Sequence, residues 1–131
     1  MTEENKQLVR DFYEAGNRGD MDACLAILAE DLVWTNIGST PFSGTYTGKQ
    51  AVLEQLIGPL FSRLRAGIRS KIENLIAEGD VVVAETSGTA ETLDGSAYNN
   101  AYCQIMTIRG GRIVRVKEYF DTELTSMVFG R

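Results

Sequence analysis

The stretch GGRIVRVKEYFD, residues 110–121, indicates the fold most clearly, because a turn signal leads directly into an alternating strand. Its paired glycines, Gly110 and Gly111, are typical of a hairpin turn. One face of the predicted strand carries Val114, Val116, Glu118 and Phe120, and the opposite face carries Arg115, Lys117, Tyr119 and Asp121. Glu118 is therefore a single acid on an otherwise apolar stripe.

Two further turn signals precede this strand, and together they predict three hairpins in series. The turns are Gly79-Asp80 and Asp94-Gly95, with a predicted strand over residues 81–92 between them. The preceding strand is predicted to begin at Leu64, because apolar residues then occupy even positions: Leu64, Ala66, Ile68, Ile72 and Ile76. One earlier strand is predicted for residues 32–37.

Helical patterns occupy the first half of the chain. The first predicted helix begins at Thr2 and ends at the glycines of residues 16–19. Asp20 is positioned to cap a second helix whose buried face extends to Leu28. A third begins with the capping pattern of residues 47–50, and Gly58-Pro59 is predicted to end or kink it. Helices followed by a meander predict one α+β domain over residues 1–131.

Composition excludes several classes of function. The chain has 131 residues and a net charge of −5, so it lacks the basic surface that nucleic acids or anionic membranes require. It contains no histidine, which excludes Ser-His-Asp nucleophiles, His-ligated zinc and imidazole bases. Cys24 and Cys103 are expected to be reduced core thiols. The polar start and the lack of a long apolar segment predict a cytoplasmic protein, and no motif predicts a metal or cofactor.

The strands beside the Glu118 strand predict a pocket for a small molecule. One presents Asn100, Tyr102, Gln104 and Met106 on one face, and the strand before it presents Val82, Ala84, Thr86 and Gly88. Neutral polar groups mixed with aromatics are typical of such a lining. A carboxyl there loses hydration, so its pKa rises towards that of a useful general base. The alternative interpretation is that Glu118 lies near the open rim, where it is solvated or paired with an arginine.

Several local sequences resemble the nuclear-transport-factor-2-like superfamily, and within it the SnoaL-like and ketosteroid-isomerase-like branch. They are Asn17-Arg18-Gly19-Asp20, Leu28-Ala29-Glu30-Asp31, Phe42-Ser43-Gly44, Gly110-Gly111-Arg112-Ile113 and Glu118-Tyr119-Phe120-Asp121. The resemblance implies a cone, in which three N-terminal helices pack on a strongly curved antiparallel or mixed sheet around a ligand cavity. It also implies a homodimer formed through the outer face of the sheet.

The same resemblance allows the residues of this chain to be compared with the catalytic positions of three activities in the branch. Asn36, Phe12 and Gln104 stand where ketosteroid isomerases carry a base Asp, a Tyr and a protonated Asp, and an amide cannot take a proton, so no steroid isomerisation is expected. At the positions of limonene-epoxide hydrolases the chain carries Trp34, Asn36 and Glu118 but lacks the Arg and its partner Asp. SnoaL-like cyclases, which use one acid surrounded by amides, match Glu118, Asn36 and Gln104 best.

These considerations predict a cofactor-free acid/base isomerase, cyclase or hydrolase acting on a small hydrophobic, carbonyl-bearing molecule similar to a polyketide or steroid. Its catalytic residues would be Glu118, Asn36 and Gln104. Its substrate contacts would come from Phe12, Trp34, Thr86, Asn100, Tyr102 and Phe120. The alternatives are a non-catalytic binder of a hydrophobic metabolite and a dimerising partner module.

Overall fold

A six-stranded mixed sheet forms one layer of the protein in a computed structural model that describes residues 2–130. The strands are β1 (Leu28–Asn36), β2 (Gly44–Thr47), β3 (Arg69–Glu78), β4 (Val81–Thr89), β5 (Asn100–Arg109) and β6 (Arg112–Phe120). Their order across the sheet is β2-β1-β6-β5-β4-β3, and all neighbours are antiparallel except the parallel pair β1 and β6. The predicted α+β class with a curved mixed sheet is confirmed, as are the turns at Gly79-Asp80 and Gly110-Gly111.

The helices cover the concave face of this sheet. They are α1 (Thr2–Asn17), α2 (Met21–Ala26), α3 (Lys49–Val52), α4 (Gly58–Phe61) and α5 (Thr122–Phe129), with a π-helical turn, Leu53–Ile57, joining α3 to α4. Helix α1 has acidic residues in its first turn, where their negative charge interacts favourably with the positive end of the helix dipole. Its buried side packs on β3 and β4. Among the described residues, no helix is long and apolar enough to cross a membrane.

The second helix ends earlier than its apolar spacing predicts. It stops at Ala26, and Leu28 instead begins β1, where it pairs with Ile113 of β6. The amide of Ile113 donates to the carbonyl of Ile27 at 2.8 Å. Because parallel pairing with β6 satisfies this backbone and buries Leu28, sheet formation outweighs the helical pattern, and β1 extends further than the predicted strand of residues 32–37.

Of the two effects predicted for Gly58-Pro59, the structure contradicts the end of the third helix and instead shows an irregular turn just before the proline. The helix continues to Phe61 because the π-helical turn precedes the proline, so that the amide of Gly58 donates to the carbonyl of Leu53, five residues back. Pro59 then lies in the first turn of α4, where its missing N–H is not needed. A Cβ at Gly58 would lie 2.9 Å from the Leu53 carbonyl oxygen, so this close approach requires glycine.

The strand predicted from Leu64 begins only at Arg69, and its alternation is interrupted. A bulge between Ile72 and Asn74 shifts the register with β4 by one residue. Leu75 and Ala77 therefore pack against the core, whereas Ile76 is 57% exposed on the outer face. The simple even-position pattern does not account for this bulge.

Candidate functional site

A cavity of about 330 Å³ lies between the inner face of the sheet and the helices, a size that suits a small molecule. Of the chain's one Trp, five Tyr and five Phe, all of which the structure describes, eight line it. These eight are Phe12, Tyr13, Trp34, Phe42, Phe61, Tyr98, Tyr102 and Phe120. The wall is therefore mostly aromatic.

Three of the predicted site residues form one level row across the sheet. Asn36 of β1 pairs in register with Glu118 of β6, and Glu118 pairs with Gln104 of β5. All three side chains are buried and line the cavity. The row below it is apolar, with Trp34, Val116 and Met106 in register. This polar row, Asn36-Glu118-Gln104, thus lies directly above the hydrophobic core.

A hydrogen-bond chain holds Glu118 from one side. The hydroxyl of Tyr13, on α1, donates to Oε1 of Gln104, and Nε2 of Gln104 donates to Oε1 of Glu118. Because the Tyr13 hydroxyl binds the amide oxygen of Gln104, the NH2 group of Gln104 points towards the carboxyl group of Glu118. Gln104 therefore acts as a fixed donor to the acid.

Sequence reasoning missed Tyr13 and placed its neighbour Phe12 at the tyrosine position. Both residues line the cavity, and their rings meet edge to face. The available signal was that Tyr13 lies four residues after the buried Val9, on the face of α1 that packs inward. A buried tyrosine hydroxyl needs a polar partner, and Gln104 of the polar row supplies it.

The second carboxyl oxygen of Glu118 faces the cavity. Within residues 2–130, Oε2 accepts no hydrogen bond from the protein. Every fully enclosed side-chain oxygen or nitrogen in this part of the chain has a hydrogen-bond partner. Because Oε2 has none, it is not fully enclosed and is open to the cavity. One oxygen is held and the other is available, which is the arrangement that proton transfer to a bound molecule needs.

Burial raises the pKa of Glu118 to about 7, and the hydrogen bond from Gln104 lowers it only in part. The side chain is 8% exposed, and among the described residues no Lys or Arg lines the cavity to offset the desolvation. The alternative of a solvated or arginine-paired Glu118 is therefore wrong, and the expected rise in pKa is confirmed. Burial and the nearby Glu118 also raise the pKa of Tyr13 well above its ordinary value, so its hydroxyl remains a donor.

Asn36 is held at both ends of its amide. The indole Nε1 of Trp34 donates to Oδ1 of Asn36 at 2.8 Å, and Nδ2 of Asn36 donates to the carbonyl of Phe42 at 3.0 Å. Each bond is short and internal, so the amide orientation is fixed. One N–H of Asn36 is left over for a ligand, because an amide nitrogen carries two hydrogens.

The structure separates the predicted substrate contacts into two groups. Phe12, Trp34, Thr86, Tyr102 and Phe120 line the cavity, whereas Asn100 does not. The amide nitrogen of Asn100 donates instead to the carbonyl of Asp121 at 3.2 Å and to the hydroxyls of Tyr98 and Thr125 at 3.1 Å each. It anchors the start of α5, a helix that the sequence did not predict.

The end of α1 contacts β3 beside the cavity. Asn17 lines the cavity, as do Gly19, Met21, Ala66 and Gly67. The Asn17 amide accepts from the backbone N of Ser70 and donates to its carbonyl, both at 2.7 Å. Because β3 is an edge strand, Asn17 satisfies backbone groups that have no neighbouring strand.

We expect Asn17→Ala to lower the free energy of unfolding by about 0.5–1.5 kcal/mol, because two hydrogen bonds to the edge of β3 are replaced by water. Chemical denaturation monitored by circular dichroism measures the change. Glu14→Ala, at an exposed position of the same helix, is the matched control and should change stability by less. Equal stability of both variants would show that this contact does not hold α1 to the sheet.

Other groups in the described part of the chain do not form a metal site. No three His, Cys, Asp or Glu side chains there lie close enough together to hold a metal ion. Cys24 lines the cavity as a free thiol, with a pKa that burial raises to about 11, and Cys103 on β5 is also free. Glu118 is thus the acid available for chemistry in this cavity.

Residues 9–116 match the family model of the SnoaL-like domain. Among solved structures, an NTF2-like protein of unknown function from Burkholderia pseudomallei is 25% identical, with a TM-score of 0.85 over 98% of both chains. An NTF2-like protein from Burkholderia xenovorans is 27% identical, with a TM-score of 0.76 over 97% of this chain and 96% of that one. An LEH-like epoxide hydrolase from M. tuberculosis is 25% identical, with a TM-score of 0.77 over 96% and 89%. A search of the curated proteins found no match.

Proposed function

We propose, from the premise that this chain belongs to the SnoaL-like domain family, that it is a cofactor-free acid/base catalyst acting on a small hydrophobic carbonyl compound. The observation that carries the proposal is the state of Glu118. This carboxyl is buried, its pKa lies at about 7, and one of its oxygens faces an aromatic cavity. Such a group exchanges protons at neutral pH without a metal.

The geometry supports proton abstraction next to a carbonyl group. Ionised Glu118 takes the proton at Oε2, and the electron pair of the broken C–H bond moves into an enolate. The remaining N–H of Asn36 lies in the same row and can donate to the developing oxyanion. Returning the proton to a different carbon isomerises the molecule, and attack by the enolate carbon on a second carbonyl closes a ring.

The experiment that tests this function follows exchange of α-protons for deuterium. A panel of small cyclic ketones, including cyclohexenone and tetralone, is incubated with the protein in D2O, and loss of the α-proton signals is measured by NMR. Exchange above that of buffer supports the proposal and needs no knowledge of the natural product. Binding of the ketones without exchange would contradict it.

The exchange rate is expected to rise with pH through a midpoint at about 7 and to level off above it, because only the ionised carboxyl accepts a proton. A set of rates between pH 5 and 9 measures this midpoint. A rate that falls with rising pH would instead assign Glu118 as a general acid.

Non-catalytic binding is the second candidate, and one observation favours it. The amide groups of Asn36 and Gln104 already form two hydrogen bonds each within the protein, so few free donors remain for a developing oxyanion. In that case the same cavity holds a hydrophobic metabolite, and Glu118 accepts or donates one hydrogen bond to it. The exchange experiment separates the two candidates.

The outer face of the sheet supports the homodimer expected from the sequence. Ile76, Val83 and Ile105 lie in register across β3, β4 and β5 on this face, and Ile76 is largely exposed. We expect light scattering at micromolar concentration to give twice the chain mass, and Ile105→Glu to shift the protein to a monomer because a charge would be buried. Glu14→Gln, at an exposed position of α1 away from this face, serves as the control variant. A monomeric wild-type protein would contradict the expectation.

A further inference from the structure

The wall of the cavity bears a definite electrostatic character. Eight aromatic side chains line it, and the electron-rich faces of such rings attract cations. The described lining residues include one carboxyl group, that of Glu118, and no Lys or Arg. Arg63 stacks on Phe129, a ring that does not line the cavity, with its guanidinium carbon 4.8 Å from the ring centroid. The site is thus built from groups that favour positive charge.

These groups discriminate among ligands of different charge. An anionic ligand would place a second negative charge beside Glu118 with no cation to compensate either. A neutral ligand would leave the ionised carboxyl without a counter-charge, because no Lys or Arg is among the described lining residues. A protonated amine would supply both the missing counter-charge and a donor for Oε2, while its hydrocarbon part covers aromatic surface. The net charge of −5 on the chain adds attraction at longer range.

We propose that the cavity binds an apolar amine in its protonated form, with the ammonium group against Oε2 of Glu118 and the hydrocarbon body against the aromatic wall. This inference rests on the proposed function only in taking the cavity to be the binding site. It goes beyond that function, because the ammonium group would occupy Oε2, the oxygen that takes the proton in the proposed reaction, so an amine is a ligand of the cavity rather than a substrate of the exchange. Apolar amines are the class that fits.

Binding of such a ligand is coupled to the proton on Glu118. The other titratable side chains that line the cavity are the phenols of Tyr13, Tyr98 and Tyr102 and the thiol of Cys24. Burial raises the pKa of Tyr13, Tyr102 and Cys24, so these three stay neutral near pH 7. The ammonium group favours the carboxylate, so binding below pH 7 displaces a proton from Glu118 into solvent. The affinity for an amine therefore rises as pH increases through about 7.

A matched trio of ligands tests the inference. The compounds are 2-phenylethylamine, 2-phenylethanol and phenylacetate, which share a skeleton but differ in charge; 1-naphthylmethylamine, 1-naphthylmethanol and 1-naphthoate form a larger trio. Titration calorimetry at pH 8 gives the affinities, and the fluorescence of Trp34, the single tryptophan, reports occupancy of the cavity. We expect the amine to bind about tenfold or more tightly than the alcohol, and the carboxylate to bind most weakly.

Two variants test whether Glu118 causes the preference for the amine over the alcohol. Glu118→Gln keeps the side-chain shape and should reduce the preference for amine over alcohol to about onefold. Glu85→Gln, an exposed position on the outer face of β4, removes the same charge from the chain and should leave the preference unchanged. Calorimetry at pH 6 in two buffers of different ionisation enthalpy should show proton release with the wild-type protein and with Glu85→Gln, but not with Glu118→Gln.

The outcomes separate this inference from the proposed function. Equal or tighter binding of the alcohol or the carboxylate overturns the preference for amines but leaves the cavity as a binding site. Binding of none of the six compounds overturns both. An amine preference that survives Glu118→Gln also overturns the inference, because the charge would then be recognised elsewhere.

Discussion

Glu118→Gln is expected to lower the rate of α-proton exchange by about a hundredfold or more, with ligand binding largely retained. The amide keeps the shape of the carboxyl group and still accepts the hydrogen bond from Gln104, but it cannot take a proton. The measurement is the exchange rate per molecule of protein for the best ketone of the panel, at saturating concentration. Glu85→Gln, on the outer face, should exchange at the wild-type rate.

The same substitution, which lowers activity, is expected to increase the free energy of unfolding above neutral pH. Between the ordinary pKa of about 4.5 and the folded value of about 7, the folded protein holds a proton that the unfolded chain has lost. Stability therefore falls as pH rises through this window, by up to about 3 kcal/mol. Glu118→Gln removes this penalty, so it should be more stable than the wild-type protein at pH 8 and similar to it at pH 4.

A variant that loses activity and gains stability is difficult to explain by misfolding. If Glu118→Gln instead leaves the exchange rate unchanged, the proton is moved by another group, and the acid/base proposal for this residue is wrong. If it unfolds, the carboxyl has a structural role that the hydrogen-bond pattern does not suggest.

Tyr13→Phe is the second variant with a large expected effect. It removes the donor that occupies Oε1 of Gln104, which leaves a buried oxygen without a partner and lowers the free energy of unfolding by about 1–3 kcal/mol. The freed amide can also turn its oxygen towards Glu118. That orientation disfavours the carboxylate, so the pKa of Glu118 should rise above about 7.

Carbon-13 NMR of the glutamate carboxyl groups, titrated with pH, measures this second effect directly. Exchange activity of Tyr13→Phe should fall several-fold at pH 7 and recover at higher pH, where Glu118 again ionises. Tyr119→Phe, at an exposed position of the opposite face of β6, should change neither quantity. A loss of stability without any shift of the pH profile would show that Tyr13 only packs.

Sequence alternation was sufficient for two of the three sheet residues of the site. Gln104 and Glu118 were predicted to face one cavity because alternation puts both on inward positions, and the turn between β5 and β6 brings these strands together. Asn36 was assigned to the same cavity from the family resemblance. Regular alternation fails where an extra residue enters a strand. Ile76 illustrates this, since the bulge before it turns it outward.

The helix side of the site was less accessible from the sequence. The role of Tyr13 depends on how α1 is rotated about its axis relative to the sheet. The amphipathic pattern of α1 determines this rotation only to within one residue position, because Phe12 and Tyr13 fit the pattern equally well. Asn100 was misplaced for a related reason. Its partners belong to α5, a short helix whose capping residue, Asp121, was taken for the end of the last strand.

The parallel pairing of β1 with β6 has a consequence for biosynthesis. Asn36 comes from the first third of the chain and Glu118 from near its end, yet they lie side by side in the sheet. A nascent chain can form its helices and the β3–β4 hairpin early, because those contacts are local. The acid and its neighbouring amide meet only after β6 has been synthesised, so the site cannot form in any nascent chain that still ends before Glu118.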